Sequence, residues 1–151
     1  MNSYPDIAVR ARALHDAGAS PTCQWSLPLI CDHLANAMTG STGALGPSPA
    51  QANSPPAIVR MMGRMLVLRF GFIPGGRPSP ARVLPRPDIR WEEAIANLDR
   101  AIALCEKHRK TGGPWLAHPL LGFQDARQWQ RFHLVHARHH FKCLRTSGGG
   151  N

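Results

Sequence analysis

Several features that would announce a function class are missing or scarce. The four cysteines (Cys23, Cys31, Cys105, Cys143) make no CxxC pair and no zinc-ribbon spacing, which excludes the common cysteine-based metal and redox motifs. The N-terminus, "MNSYPDIAVRARALHDAG", has no basic stretch followed by an apolar run, so a secretory signal is not expected. Reduced cysteines in a cytoplasmic protein are the simplest expectation. The most apolar segment, "AIVRMMGRMLVLRFGF", is broken by Arg60, Arg64 and Arg69 and argues against a membrane span. Acidic residues are few, 9 against 18 Lys and Arg, giving a net charge of +9. The arginines are nevertheless spread over every segment, with no long basic run, and specific nucleic-acid binding is not expected from charge alone. No strand-like alternation of any length and no internal repeat occur.

What is present is helical periodicity separated by glycine and proline. A chain of 151 residues reads as one domain, spanning 1–151, with enough length to bury a core without disulfides. Gly and Pro are abundant, 14 of each, which predicts at least one long irregular connection. A short extra N-terminal helix is expected over 5–17. A second helix opens at Ser26 as N-cap, tolerates Pro28 in its first turn, carries Leu27, Ile30, Leu34 and Met38 at helical spacing, and stops near Gly40. Residues 39–56 form a Gly/Ser/Pro-rich loop, an insertion or a lid.

A Met- and Leu-rich third helix is expected over 57–70, with Met61, Met62 and Met65 packing the bundle or lining a pocket. "RVLPRPD" holds enough proline to be an extended crossover. The fourth helix, 89–109, has a stripe of Trp91, Ile95, Leu98, Ile102 and Cys105, with acidic residues in its first turn and basic ones in its last. The fifth opens with Asp125 and Gln128 as a capping box and runs to about Leu144. Residues 146–151 form a frayed tail. The fold class is all-α: a helical bundle with long irregular connections.

Four of the eight histidines fall in one stretch of the fifth helix, "RFHLVHARHHFKCL". At about 100° per residue, with His136 at zero, His140 lies near +40°, His133 near +60° and His139 near −60°. Trp129, Phe132 and Cys143 share that face, whereas Arg131, Arg138, Lys142 and Arg145 point away. The histidines therefore belong to the core-facing stripe. A buried imidazole needs partners, because an unsatisfied buried polar group costs roughly 1–3 kcal/mol. His136 and His140, one turn apart, are placed to chelate one cation. Metal ligation and satisfied burial both remain open at this point. A third ligand must come from elsewhere: His33 lies on the margin of the inward stripe of the second helix, while His15 and His108 sit near helix ends and read as solvated. His118, in the loop before the fifth helix, is placed to reach the site or support it. Asp32 lies about 100° from His33 and reads as surface. Trp91 and Trp129 read as core anchors, Trp25 as a lid on the second helix, and Cys143 as core packing.

The segments "QWSLPLICDHLANAM", "AHPLLGF" and "WQRFHLVHARHHFKC", in that order and spacing, resemble an uncharacterised family within the DinB-like superfamily of bacterial four-helix-bundle metalloproteins. The resemblance covers nearly the whole chain, from Ile7 to Leu144. It implies a divalent metal, zinc or nickel, held by His33, His136 and His140. His133 and His139 also match the motif; they, and His118 by its position, are expected to stand behind the ligands and orient them by hydrogen bonds. The sequence departs from the pattern at Pro28, where a small flexible residue is common, and at Arg138, where an acidic one is usual. Three neutral imidazoles leave a coordination position open, a catalytic rather than a structural pattern. The resemblance implies a thiol-dependent S-transferase or a hydrolase acting on a small molecule, with a low-molecular-weight thiol as one partner and the oligomeric state open. The alternative is a non-catalytic basic bundle that binds nucleic acid or a protein, its histidines merely structural.

Overall fold

The computed structural model describes residues 1–46, 55–74 and 79–146. In chain order these form α1 (Pro5–Asp16), β1 (Ser20–Pro21), α2 (Leu27–Ser41), α3 (Ala57–Arg64), a π-helical turn (Met65–Arg69), a 3-10 turn (Ala81–Val83), α4 (Trp91–Thr111), α5 (Ala126–Phe141) and β2 (Leu144–Arg145). The all-α bundle expected from the sequence is the observed architecture. Residues 47–54 of the loop expected over 39–56, the "GGRP" part of the connection after the third helix, and residues 147–151 of the tail lie outside the described residues, while Thr39, Gly40 and Ser41 belong to α2 rather than to the loop.

The core is assembled around α2. This helix is buried on nearly all sides: every residue from Ile30 to Ala35 is buried, along with Leu27, Met38 and Ser41. It packs chiefly against α4, through Ala94, Leu98, Ala101, Ile102 and Cys105, and also against α1 and α5. The short N-terminal helix is built into this core: Tyr4, Ile7, Ala11 and Leu14 are all inside. Helix α4 ends at Gly112, whose φ of 70° places it in the left-handed region that glycine occupies without strain. Helix α5 begins with the expected capping box: Asp125 Oδ1 accepts from Gln128 N at 2.8 Å, and Gln128 Oε1 accepts from Asp125 N at 3.1 Å.

Four expectations are corrected. The third helix is α-helical only over Ala57–Arg64 and then widens into the π-helical turn; no residue of α3 is buried. Its methionines, Met61, Met62 and Met65, are exposed rather than packed in the bundle. Trp91 is only half-buried and stacks on His15 with ring centroids 4.1 Å apart. Helix α5 stops at Phe141, and the chain beyond it pairs with β1 in a two-residue antiparallel ladder.

The cysteines also depart from expectation. Cys23 and Cys143 are joined in a disulfide across 120 residues of chain. Cys143 therefore ties the end of α5 to the β1–α2 connection instead of filling the core. Cys31 and Cys105 remain free and buried, with burial pushing both thiols up to about 12. No described helix is long and apolar enough to cross a membrane.

Candidate metal centre

His33 comes from the middle of α2, and His136 and His140 from the last two turns of α5. The α2–α5 packing brings the three imidazoles together edge to face, with ring centroids 4.7–4.9 Å apart. His136 is the hub: its Nε2 lies 3.1 Å from His33 Nε2 and 3.0 Å from His140 Nε2. All three ligand atoms fall within 4.8 Å of one another, so the three histidines are positioned to bind a metal ion.

The protonation of these rings follows from their other contacts. His33 Nδ1 lies 2.7 Å from Val83 O, and a carbonyl can only accept, so Nδ1 carries the proton and Nε2 presents a lone pair. His136 Nδ1 is buried without a partner. If its Nε2 bears the proton, that proton satisfies only one of the two neighbouring Nε2 atoms and leaves the other facing it unbonded. The rings cannot satisfy one another. A cation at their focus would accept all three lone pairs, and nitrogens about 2.0–2.1 Å from a tetrahedral zinc-like ion lie roughly 3.4 Å apart, close to the 3.1 and 3.0 Å that separate His136 Nε2 from His33 and His140. Charge is also kept off the rings. Burial first, and then the neighbouring imidazoles, hold His136 well below its ordinary range and His140 at about 3; burial also lowers His33. Neutral imidazole is the form that ligates metal.

The position of His33 is set by a clasp that has no signature in the sequence. Three side chains of α2 grip the crossover segment before α4. His33 donates to Val83 O, Asn36 Nδ2 donates to Leu84 O at 3.1 Å, and Asp32 Oδ2 accepts from Arg86 N at 3.0 Å. Asp32 also accepts from Asn97 Nδ2 at 2.8 Å, so it is buried between the crossover and α4 rather than on the surface. The surface expectation fails because α2 is buried nearly all round and has no solvent face for Asp32 to occupy. Replacing Asp32 by Ala should cost about 3–6 kcal/mol, since two hydrogen bonds to a buried carboxylate are each worth about 1.5–3 kcal/mol. Chemical denaturation should show that loss, with Asp32→Asn intermediate because it keeps one acceptor oxygen.

Trp25 covers the outer side of the centre, its ring 4.8 Å from His33 and 5.5 Å from His140. The Cys23–Cys143 disulfide lies two residues before Trp25 and three after His140, so it ties the covering segment to the ligand helix.

The remaining histidines are dispersed. His133 is buried, and its Nε2 lies 3.1 Å from Ser41 Oγ, which itself donates to Met38 O. His133 is therefore committed to α2 instead of to a ligand, and its Nδ1 is left unpartnered. His139 is half-buried beside His140, ring centroids 5.3 Å apart. His118 Nδ1 accepts from Leu120 N and Leu121 N, which shapes the turn that follows it. Its ring packs on Phe132, 4.7 Å away, and Phe132 in turn packs against His136. His15 and His108 lie far from the centre, on Trp91 and Trp115. Arg138 turns away from the ligands and donates to Met1 O.

His33, His136 and His140 open onto a groove of about 840 Å³. Its walls come from the α3 and π-turn segment, the 116–121 loop and α5, and they are mostly apolar. The methionine-rich third helix thus serves the groove rather than the bundle core: Met62 and Met65 line it. Gly63 permits the close approach of α3 to the loop, since a Cβ there would lie 3.1 Å from Leu121 Cδ2.

A family model described as "Protein of unknown function (DUF1569)" matches residues 2–147. No curated protein and no solved structure matches the chain.

Proposed function

Because the chain belongs to the DUF1569 family, a family of unknown function, its activity must be argued from the site, and we propose that it is a metal-dependent enzyme of the DinB-like type. In this reading His33, His136 and His140 hold a divalent ion, zinc or nickel, and the reaction is a thiol-dependent S-transfer or a hydrolysis on a small molecule. The observation that carries it is the convergence of three Nε2 atoms, at 3.0 and 3.1 Å about His136, which no arrangement of ring protons satisfies. The DinB-like assignment is supported by the ligand order, one histidine from an early helix and an i, i+4 pair from the last, and by the helical bundle that unites them.

A divalent ion held there supplies Lewis acidity toward a thiol or a water molecule. The chain supplies the rest. Three histidines leave a coordination position on the groove side, and the apolar walls limit competing water. No Asp or Glu is among the described residues lining the groove. His139, which lines it beside His140 and is held below its ordinary range chiefly by burial, is the neutral imidazole placed to accept a proton. A structural role for the three rings is the weaker reading, because without a cation one of the two Nε2 contacts of His136 has no proton to bridge it.

The reaction class is tested by incubating tag-free protein with an apolar electrophile, a panel of low-molecular-weight thiols, and added zinc or nickel. S-conjugate formation that chelator abolishes and metal restores is expected for the transferase; ester or amide cleavage without thiol would select the hydrolase. Equal turnover in chelated and metal-loaded protein would rule out both.

A further inference from the structure

The groove has a charge pattern of its own, separate from the three nitrogens at its floor. Of the described residues lining it, Arg82 alone is permanently charged, and none is acidic. Met62, Met65, Phe70, Leu121, Trp129 and Phe132 supply apolar wall. A guanidinium on a low-dielectric wall is weakly screened, and its field is concentrated in the groove.

Arg82 is also held in place. Its Nη2 donates to Gly46 O at 3.2 Å. The guanidinium lies against α2 at Gly40, where a Cβ would come 3.6 Å from Nη2 and 3.9 Å from Nε. No carboxylate pairs with it among the described residues. A guanidinium has five N–H donors, so one carbonyl leaves most of its capacity for another acceptor. Gly40 is seven residues beyond His33, which places the cation about 10 Å along α2 from the histidine cluster.

We propose that the groove binds an apolar organic anion, a carboxylate or sulfonate on an aryl or alkyl body, with Arg82 as the residue that selects the charge. The anionic end is held by the guanidinium, and the body lies along the Met62, Leu121 and Phe132 walls toward the histidines. Only the identity of the end facing the histidines rests on the metal-enzyme reading; the Arg82 end stands without it. Arg82 touches the ligand and not the reacting atoms, so it governs binding rather than chemistry.

The test is fluorescence titration of the full chain with anilinonaphthalene sulfonate and with its uncharged relative phenylnaphthylamine, each with chelator and with added zinc. The wild-type protein should bind the sulfonate more tightly than the uncharged probe. Arg82→Gln should weaken the sulfonate roughly tenfold, as expected for loss of a charge-assisted hydrogen bond, and leave the uncharged probe within about twofold. Met62→Glu, at an exposed edge of the groove, should weaken the sulfonate more than the uncharged probe. Equal affinity for the two probes, equal loss of both in Arg82→Gln, or no binding of either would overturn the proposal. If zinc fails to bind while the Arg82 dependence persists, the metal reading falls and this one stands. If zinc binds and the Arg82 dependence is missing, this one falls alone.

Discussion

Replacing His136 by Ala should abolish stoichiometric divalent-metal binding while leaving the helical bundle folded. His136 is the only one of the three whose Nε2 sits within hydrogen-bonding distance of both others, 3.1 Å from His33 and 3.0 Å from His140. Without it, the remaining two nitrogens lose their common neighbour and the site drops from three ligands to two. Loss even of a supporting group typically costs about 10–100-fold in metal affinity, so loss of this ligand should cost at least about 100-fold. His33→Ala and His140→Ala should behave alike. His133→Ala and His139→Ala should retain the metal, because His133 is bonded to Ser41 and His139 lies beside the ligand set. Equilibrium dialysis or competition with a chromophoric chelator distinguishes the two groups. Metal affinity unchanged in His136→Ala, or lost equally in all five variants, would sink the assignment.

The metal-free protein should also lose stability steeply in mild acid. Burial holds His133 and His140 at about 3 and His118 at about 4, with neighbouring imidazoles adding to the effect for His133 and His140. Their ordinary value is 6.5, which the unfolded chain recovers. Above that value both states are neutral at these rings and the slope is flat. As pH falls through it, the unfolded chain takes up protons that the folded chain refuses, so stability falls with pH until the folded values are reached. Each ring contributes about 1.4 kcal/mol per pH unit in that window, and three together remove roughly 6 kcal/mol near pH 5. That is the size of a small domain's entire stability, about 5–15 kcal/mol. Urea midpoints measured from neutral pH down to about pH 4.5 should therefore fall steadily below about pH 6.5. Replacing His133 by Phe should make the fall shallower. A flat midpoint across that range would show that these rings are not buried neutral in the fold.

Much of the site is legible in the amino-acid sequence, for identifiable physical reasons. Helix α5 carries a capping box and a periodic apolar stripe, so its faces can be drawn on a wheel, and the wheel selects His136 and His140. The third ligand is harder: His33 sits on a helix buried on nearly all sides, where periodicity does not separate inside from outside. Its place in the set comes from the family resemblance. The same property hides Asp32, whose carboxylate grips a crossover 54 residues away along the chain. Val83 is invisible for another reason, since it acts through a backbone carbonyl that any residue would supply. The disulfide joins cysteines 120 residues apart, a separation across which sequence spacing carries no pairing information. The methionines of the third helix fit either a core or a pocket wall by sequence, and Met62 and Met65 take the second place, facing the groove.

The most direct measurement is the metal content of the chain purified without a histidine tag, by inductively coupled plasma mass spectrometry after exhaustive dialysis. About one divalent ion per chain is predicted, removed by chelation with a loss of thermal stability that readdition restores. Substoichiometric metal whose removal leaves the melting curve unchanged would contradict a metal centre at His33, His136 and His140.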